Sequence, residues 1–427
     1  MRLHRYALLV AAILAIALCQ VGAAMAGPFL VFEANSGRVI NGERENEPWH
    51  PASLTKLMTA YVAFHAIKSG RFTPESQLAY SELAAAQPPS KIGMRVGSTL
   101  SLDLALQGLL IRSANDFAIA IAENIGGSVP RFVQMMNETA RRLGMSGTYY
   151  ANPHGLPDVR QVTTARDLAI LTNAIINEFP EYKDYFSAHY VTVGGRRLSN
   201  RNGLLTRMKS ADGMKTGYVC GSGYNLVASA TRDGRRLVAV VLGARSGAGR
   251  TVQAEQLLEK GFLVKADGPR LRDLKPHSLA DPVRPVDMTP EVCQWKPSYE
   301  LTKAADLQDH GVALGRFASP AEANEMLNRW LLATRYIFYG GRGVITRVPY
   351  KGDYLVMIDQ MNLEQSQALC SYLRANGAAC QVMRPETFRA LAAEAREEIA
   401  EAKDGGAKIE AASGPAKAPP GVNDSDE

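Results

Sequence analysis

The chain has few cysteines, few aromatic residues and little excess charge of either sign. Its 427 residues include 5 cysteines, 7% are aromatic, and 48 basic against 42 acidic residues leave a net charge of +6. A charge this close to balance does not indicate a nucleic-acid-binding protein. After residue 26 there is also no apolar run of about 20 residues, the length that a membrane-spanning helix needs. The 46% share of apolar residues is typical of a soluble globular protein.

The first 26 residues predict a secretory signal peptide. A basic start precedes an apolar run, and Ala24-Met25-Ala26 stands before Gly27 as a small-residue cleavage site. The run is shorter than an uncleaved membrane anchor needs. We therefore expect cleavage after Ala26, removal of Cys19 and a periplasmic mature chain in an oxidising compartment, where disulfides form.

Hydrophobic periodicity predicts two domains in the rest of the chain. From residue 27 to 265, β-rich stretches at both ends enclose a series of helical patterns, which predicts one mixed α/β unit whose ends share a sheet. The prolines between 266 and 305 predict a linker. Residues 306–385 form a weak strand-helix repeat that predicts a small βαββαβ unit. Residues 386–427 predict a charged helix and a disordered tail.

Ser53 and Lys56 place a hydroxyl and an amine one helical turn apart at the start of a predicted helix. A serine hydroxyl becomes a good nucleophile when a neighbouring base takes its proton. A lysine can be that base if burial and nearby positive charge lower its pKa. Such a pair arises by chance about once in a chain of this length, so alone it is better explained as an ordinary capped helix.

Two further motifs change this interpretation: Ser113-Ala-Asn115 after an apolar helix, and Lys215-Thr-Gly217 before a β-rich segment. The three motifs in this order resemble those of penicillin-binding proteins and class A β-lactamases. Residues 28–263 are similar to the low-molecular-weight D-alanyl-D-alanine carboxypeptidases. The resemblance implies an α/β (α+β) fold of the β-lactamase/transpeptidase type, with an antiparallel sheet and a helical cluster. It also implies acylation by β-lactams and no cofactor or metal.

The resemblance also implies roles for the motif residues. Ser53 would be the acyl-forming nucleophile, Lys56 its base, and Ser113 a proton relay towards Lys215. Asn115 would position Lys56 and the substrate amide. The residues expected to bind the terminal carboxylate or the substrate backbone are Lys215, Thr216, Gly217, Tyr218, Arg201 and Arg250. The N–H groups of Ser53 and Tyr218 would stabilise the oxyanion, and Gly217 would let the substrate lie close to the strand.

Other candidates are weaker. For each of the two arginines, a structural role is about as probable as a binding role.

His154 lacks a metal-spaced partner and is better explained as an ordinary loop histidine. We expect Cys370 and Cys380 to pair, because a helix ending near Asn376 and a strand starting near Cys380 bring them together. For Cys220 and Cys293 the sequence leaves both a disulfide and free thiols open.

The second predicted domain resembles a sporulation-related repeat (SPOR) domain, on the basis of residues 311–319 and the helix-strand element between the two paired cysteines. The resemblance implies binding to peptidoglycan glycan strands. Phe317 and Tyr354 are candidates for stacking on sugars, although an aromatic residue on a strand more often belongs to the core. The second half departs from the usual pattern at Ile358-Asp-Gln-Met, which weakens the glycan-binding prediction on that side.

The expected function is removal of the terminal D-alanine from peptidoglycan stem pentapeptides by a serine-type carboxypeptidase that penicillin inhibits. A serine β-lactamase also needs a base for deacylation, and no Glu-x-x-Leu-Asn element lies between Asn115 and Lys215. A D,D-endopeptidase uses the same motifs, so the sequence leaves it open. A non-catalytic wall-binding scaffold is disfavoured because Ser53, Lys56 and Lys215 are all present.

Overall fold

A computed structural model describes residues 27–158, 160–276, 285–292, 300–301, 309–334, 342–347, 353–375, 377–387 and 390. The predicted signal peptide, parts of the predicted linker and nearly all of the predicted tail lie outside the described residues. Fourteen strands are described: β1 Phe29–Glu33, β2 Val39–Glu43, β3 Gln77–Ala79, β4 Thr99–Ser101, β5 Tyr190–Val193, β6 Arg196–Ser199, β7 Ala211–Val219, β8 Gly223–Arg232, β9 Arg235–Ala244, β10 Glu300–Leu301, β11 His310–Phe317, β12 Arg342–Arg347, β13 Tyr354–Met361 and β14 Gln381–Met383.

Twelve α-helices accompany these strands: α1 Thr55–Lys68, α2 Glu82–Ala85, α3 Leu102–Gln107, α4 Asn115–Gly126, α5 Val129–Leu143, α6 Ala165–Glu178, α7 Lys183–Ser187, α8 Leu204–Arg207, α9 Gly247–Phe262, α10 Thr289–Val292, α11 Pro320–Thr334 and α12 Leu363–Ala375. Several begin at a side-chain cap. The hydroxyls of Ser128, Thr164 and Ser246 accept backbone N–H groups in the first turns of α5, α6 and α9, which satisfies donors that the helix leaves unpaired.

The main sheet has five antiparallel strands in the order β2-β1-β9-β8-β7. Its first strand, β1, pairs with β9 from Phe29↔Val241 to Glu33↔Leu237. The two ends of the 27–265 segment therefore share one sheet, and the intervening helices pack on it. This is the α/β arrangement with an antiparallel sheet that the sequence predicts.

Both faces of the main sheet are buried. Along β9, Val238, Val240 and Leu242 belong to the large core beneath α1, α4, α5 and α6, whereas Leu237, Ala239 and Val241 belong to a second core beneath α9. Side chains on a strand alternate between faces, so an uninterrupted apolar strand can supply both cores. The sheet is the middle of three layers, and α1 is buried along nearly its whole length.

Part of the predicted linker packs against this unit. Leu271 and Met288 are buried in the large core, and the N–H of Met288 donates to the carbonyl of Gly221 at 3.0 Å. The prolines prevent long helices but leave these apolar side chains free to pack. At these described residues, the segment predicted as a linker over 266–305 thus contributes apolar side chains to the core.

The C-terminal module, which we define as residues 309–387, has the order β11-α11-β12-β13-α12-β14. Its four strands form a sheet with β10, which precedes the module, in the order β10-β12-β13-β11-β14. A separate apolar core lies between the sheet and the helices of the module. A disulfide joins Cys370 of α12 to Cys380, with their Cα atoms 5.4 Å apart. This is the pair and the strand-helix order that the sequence predicts. Within the described residues, no helix has the length and apolar character required to cross a membrane.

Candidate active site

Ser53 lies in a 3₁₀ turn, Ala52–Leu54, that leads directly into α1. The turn and helix place Ser53 and Lys56 on the same side, with Lys56 Nζ 2.9 Å from Ser53 Oγ. Ala52 has a left-handed backbone with φ 48°, a conformation that costs a non-glycine residue about 1 kcal/mol or more. The chain thus adopts a strained conformation immediately before the serine.

Lys56 is buried, with 0% of its surface exposed. Besides Ser53, its Nζ atom lies 2.7 Å from Asn115 Oδ1 and 2.5 Å from the carbonyl oxygen of His154. Both of these oxygens can only accept hydrogen bonds. A neutral amine has two N–H groups and one lone pair, so it donates to the two oxygens and turns its lone pair towards the Ser53 hydroxyl.

The protonation state of Lys56 follows from its surroundings. Burial lowers its pKa to about 7, against the weaker opposing effect of the Asp116 carboxylate, because a charged ammonium loses its hydration in the interior. A substantial fraction of the lysine is therefore neutral near pH 7. In that state the pair can transfer a proton from the serine hydroxyl to the amine.

Ser113 follows a π-helical turn, Gly108–Arg112, and has a left-handed backbone with φ 63°. Such turns and strained residues often mark functional sites. Lys215, in the middle of β7, donates to Ser113 Oγ at 3.0 Å and to the carbonyl of Thr216 at 2.9 Å. Burial, followed by the positive charges of Lys56, Arg250 and Arg201, holds the pKa of Lys215 well below its usual value.

Strand β7 is an edge strand of the main sheet and carries Lys215, Thr216 and Gly217. A Cβ atom at Gly217 would lie 3.0 Å from the carbonyl oxygen of Pro51 and 3.2 Å from Leu54. The glycine therefore allows close approach of the Ser53 turn to the strand. The resemblance implies that Gly217 leaves room for the substrate, and the structure shows that it also leaves room for the Ser53 turn to pack against β7.

Arg201 and Arg250 both line the same cleft as Ser53. Arg250 donates to the carbonyl oxygens of Gly217 and Asn225 at 3.0 and 3.2 Å, and burial lowers its pKa to about 10. Arg201 donates to Ser90 Oγ at 3.3 Å. The structure thus brings both arginines to the cleft edge near β7, where they place positive charge close to Lys215.

Sequence reasoning missed Asp116 and the loop that it holds. The Asp116 carboxylate accepts the backbone N–H groups of Ile92 and Gly93 and the hydroxyl of Tyr80. Ser90 and Lys91, next to these anchors, line the cleft. The position of Asp116 directly after the Ser113-Ala-Asn115 motif was a usable signal, because an acidic residue in the first turn of a helix commonly accepts backbone N–H groups.

His154 and Cys220 have structural surroundings. Burial and the charge of Lys56 hold the pKa of His154 well below its usual value, and its Nδ1 accepts the N–H of Leu156 at 3.1 Å. This agrees with an ordinary loop histidine. Cys220 is disulfide-bonded, which excludes a free thiol there, while Cys293 lies outside the described residues.

Phe317 and Tyr354 face each other in register on β11 and β13. Both are partly buried and pack against the core of the C-terminal module. Each contributes part of its ring to that core, in agreement with the structural alternative, and leaves part of its surface exposed. Among the residues that the structure describes, no group of three or more His, Cys, Asp and Glu side chains could hold a metal ion.

The motif residues surround one cleft of about 660 Å³. Buried Lys56 and Lys215 contact Ser53 and Ser113 from the interior, and the predicted residues that line the cleft are Ser53, Ser113, Asn115, Arg201, Thr216, Gly217, Tyr218 and Arg250. Glu364, Gln365 and Ala368 of α12, and Asn362 just before this helix, also line the cleft, which the sequence did not predict. A serine hydroxyl beside a buried amine, an edge strand and two arginines thus meet at one place.

Comparison with known proteins gives a consistent result. The profile of the family described as D-alanyl-D-alanine carboxypeptidase, peptidase S11, matches residues 17–246. D-alanyl-D-alanine carboxypeptidase DacD of Salmonella typhimurium is 39% identical over 243 residues, which cover 55% of this chain and 62% of the relative. The chain thus spans about three fifths of the length of this curated relative.

Solved structures agree. Penicillin binding protein 5 from Haemophilus influenzae is 37% identical with a TM-score of 0.54, over 56% of this chain and 71% of that one. Penicillin binding protein 6B from Escherichia coli is 38% identical with a TM-score of 0.53, over 56% of this chain and 78% of that one. The family profile covers more than half of this sequence, and the chain therefore belongs to the peptidase S11 family of D-alanyl-D-alanine carboxypeptidases.

Proposed function

We propose that this protein is a serine-type D-alanyl-D-alanine carboxypeptidase that removes the terminal D-alanine from peptidoglycan stem pentapeptides. The observation that carries the proposal is the contact between Ser53 and the buried Lys56, whose pKa of about 7 makes it a base at neutral pH. The names of the relatives support the substrate, and the edge strand with its cations suits a peptide that ends in a carboxylate.

The proposed reaction begins with proton transfer from Ser53 Oγ to Lys56 Nζ. The oxygen attacks the carbonyl carbon of the penultimate D-alanine, and the N–H groups of Ser53 and Tyr218 stabilise the oxyanion. The C–N bond then breaks as the Ser113 hydroxyl, which accepts a hydrogen bond from Lys215, gives its proton to the leaving nitrogen. The proton that Lys56 took from Ser53 replaces it, so Lys56 is again neutral and Ser113 keeps its hydroxyl. Water hydrolyses the Ser53 ester, which releases the shortened peptide and restores the hydroxyl.

The remaining motif residues bind the substrate in this proposal. Lys215, Thr216, Arg201 and Arg250 hold the terminal carboxylate, because the two arginines supply positive charge and the lysine and threonine supply hydrogen-bond donors. Asn115 fixes Lys56 through its side-chain oxygen. The peptide lies along the free edge of β7, as in the addition of a strand to a sheet edge.

Labelling with a fluorescent penicillin tests the nucleophile. The wild-type protein should form one covalent adduct and release D-alanine from a pentapeptide, and Ser53→Ala should do neither. Ser98→Ala is the matched control, because Ser98 lies in an exposed loop and donates to Arg95. Labelling that survives in Ser53→Ala would remove Ser53 from the mechanism.

The two related activities are distinguished by product analysis. Without a Glu-x-x-Leu-Asn element between Asn115 and Lys215, we expect slow penicillin turnover, and rapid multiple turnover would identify a β-lactamase instead. Incubation with intact cross-linked sacculi should release D-alanine. Split peptide dimers as the main product would identify an endopeptidase.

We further propose that the protein acts in the periplasm and that the C-terminal module binds glycan strands. The βαββαβ order and the partly exposed rings of Phe317 and Tyr354 support this proposal. Purified protein should sediment with sacculi whose stem peptides have been removed, and Tyr354→Ala should sediment less. Equal sedimentation of the two proteins would exclude Tyr354 from glycan binding.

A further inference from the structure

The N-terminal half of α12, together with Asn362 just before it, forms part of the wall of the Ser53 cleft. Asn362, Glu364, Gln365 and Ala368 line this cleft together with Ser53. A second point of approach lies nearby, where burial and the carboxylate of Asp158 raise the pKa of Tyr372 to about 12. Asp158 belongs to the loop that carries Gly155 and Leu156, which also line the cleft.

The orientation of α12 is fixed by its own sequence. Asn362 and Gln365 cap the helix reciprocally, since each side-chain oxygen accepts the backbone N–H of the other residue at 2.8–3.0 Å. Leu369 and Leu373 are buried in the module core, and Cys370 is held by the disulfide. Gln365, Ala368 and Tyr372, at helical spacings of three and four, therefore share a face that adjoins the core face.

The charges around the cleft are distributed unevenly. Lys91, Arg201 and Arg250 contribute positive charge, and Glu364 is the one carboxylate among the described residues that line the cleft. Glu364 is exposed and free to reach a ligand. The Glu364 carboxylate repels the terminal carboxylate of the peptide. This part of the wall is therefore expected to lie beside the residues that precede the scissile bond.

We propose that Glu364 is a specificity-determining residue, through which the C-terminal module favours peptides that carry an ammonium group on the residue before D-alanyl-D-alanine. This inference rests on the proposed carboxypeptidase function. The module then completes the substrate site of the catalytic unit, which we define as residues 27–292. The contribution of Glu364 is to ground-state binding, so its loss raises KM and leaves kcat unchanged.

The test compares two peptides, acyl-Lys-D-alanyl-D-alanine with a free ε-amine and the same peptide with an acetylated ε-amine. At low ionic strength, where exposed charge pairs are least screened, the full-length protein should prefer the free amine about threefold in kcat/KM, the size expected for an exposed pair. Glu364→Gln should abolish the preference through KM. Glu322→Gln is the matched control, because Glu322 occupies the first turn of α11 in the same module and does not line the cleft.

The outcomes separate this inference from the proposed function. A preference retained in Glu364→Gln, or no preference in the wild-type protein, overturns the role of Glu364 while both peptides are still hydrolysed. Hydrolysis of neither peptide, together with no penicillin labelling of Ser53, overturns the carboxypeptidase proposal instead. Benzylpenicillin, which carries no ammonium group, should label Glu364→Gln at the wild-type rate and so shows that the variant is folded.

Discussion

Lys56 combines two properties that oppose each other in water, a basic amine and an uncharged state near pH 7. The protein achieves this by burying the side chain and giving it two oxygen acceptors, Asn115 Oδ1 and the carbonyl of His154. These acceptors fix the direction of the N–H groups and leave the lone pair for Ser53. The same residue placed on a solvent-exposed helix would remain protonated and could not act as a base.

The rate of acylation by penicillin should therefore depend on pH through Lys56. Its pKa is about 7 and the reactive form is the neutral amine, so the second-order rate constant should fall about tenfold for each pH unit below 7 and become constant above it. Stopped-flow measurement between pH 5 and 9 checks this. Lys56→Arg should remove the profile with the activity, because a guanidinium stays protonated. A flat wild-type profile would contradict the assignment of Lys56 as the base.

At the scale of elements, the site depends on how closely the segments around Ser53 approach one another. Gly217 of β7 contacts Pro51 and Leu54 from one side. On another side, a Cβ atom at Gly155 would lie 1.8 Å from the carbonyl oxygen of Ala52. The Ser53 turn is thus held between a strand and the loop that contains His154, and glycine at each contact lets the backbones meet.

Gly155→Ala should destabilise the fold and slow acylation, since the new methyl group must displace the Ala52 carbonyl beside Ser53. Gly144 is a matched control, because it also has a positive φ but nothing lies within 4 Å of its Cβ position. We expect about 1 kcal/mol for Gly144→Ala, from backbone strain alone. For Gly155→Ala we expect about 3 kcal/mol or more. Urea unfolding and the penicillin acylation rate measure both effects, and equal losses in the two variants would contradict the packing argument.

The sequence predicts helices, strands and motif contacts well where they depend on spacing along the chain. The helix at Pro320–Thr334 follows from its periodicity, and the Ser53-Lys56 contact follows from helical spacing. Contacts between segments that are distant in the sequence cannot be predicted from spacing. The anchoring of the Ile92–Gly93 backbone by Asp116, the burial of Met288 and the place of α12 beside the cleft depend on tertiary packing, which no spacing along the chain encodes.

At the scale of the whole molecule, the described residues contain apolar cores of two kinds. The two cores of residues 27–292 share the main sheet, since neighbouring residues of β9 enter one or the other. The core of the C-terminal module has no member from that sheet. Two cores that share a sheet should unfold together, whereas a core of its own allows the module to unfold independently.

Calorimetry should therefore show two transitions that respond to different changes. Acylation by penicillin stabilises only the folded catalytic unit and should raise only its transition. Replacement of both Cys370 and Cys380 by alanine opens a loop closed by the disulfide, which should cost the module roughly 2–3 kcal/mol for a loop of this length and lower only the other transition. Because α12 contributes few residues to the cleft, unfolding of the module should have little effect on the transition of the catalytic unit. A single transition that moves with both changes would show instead that the module and the catalytic unit fold as one body.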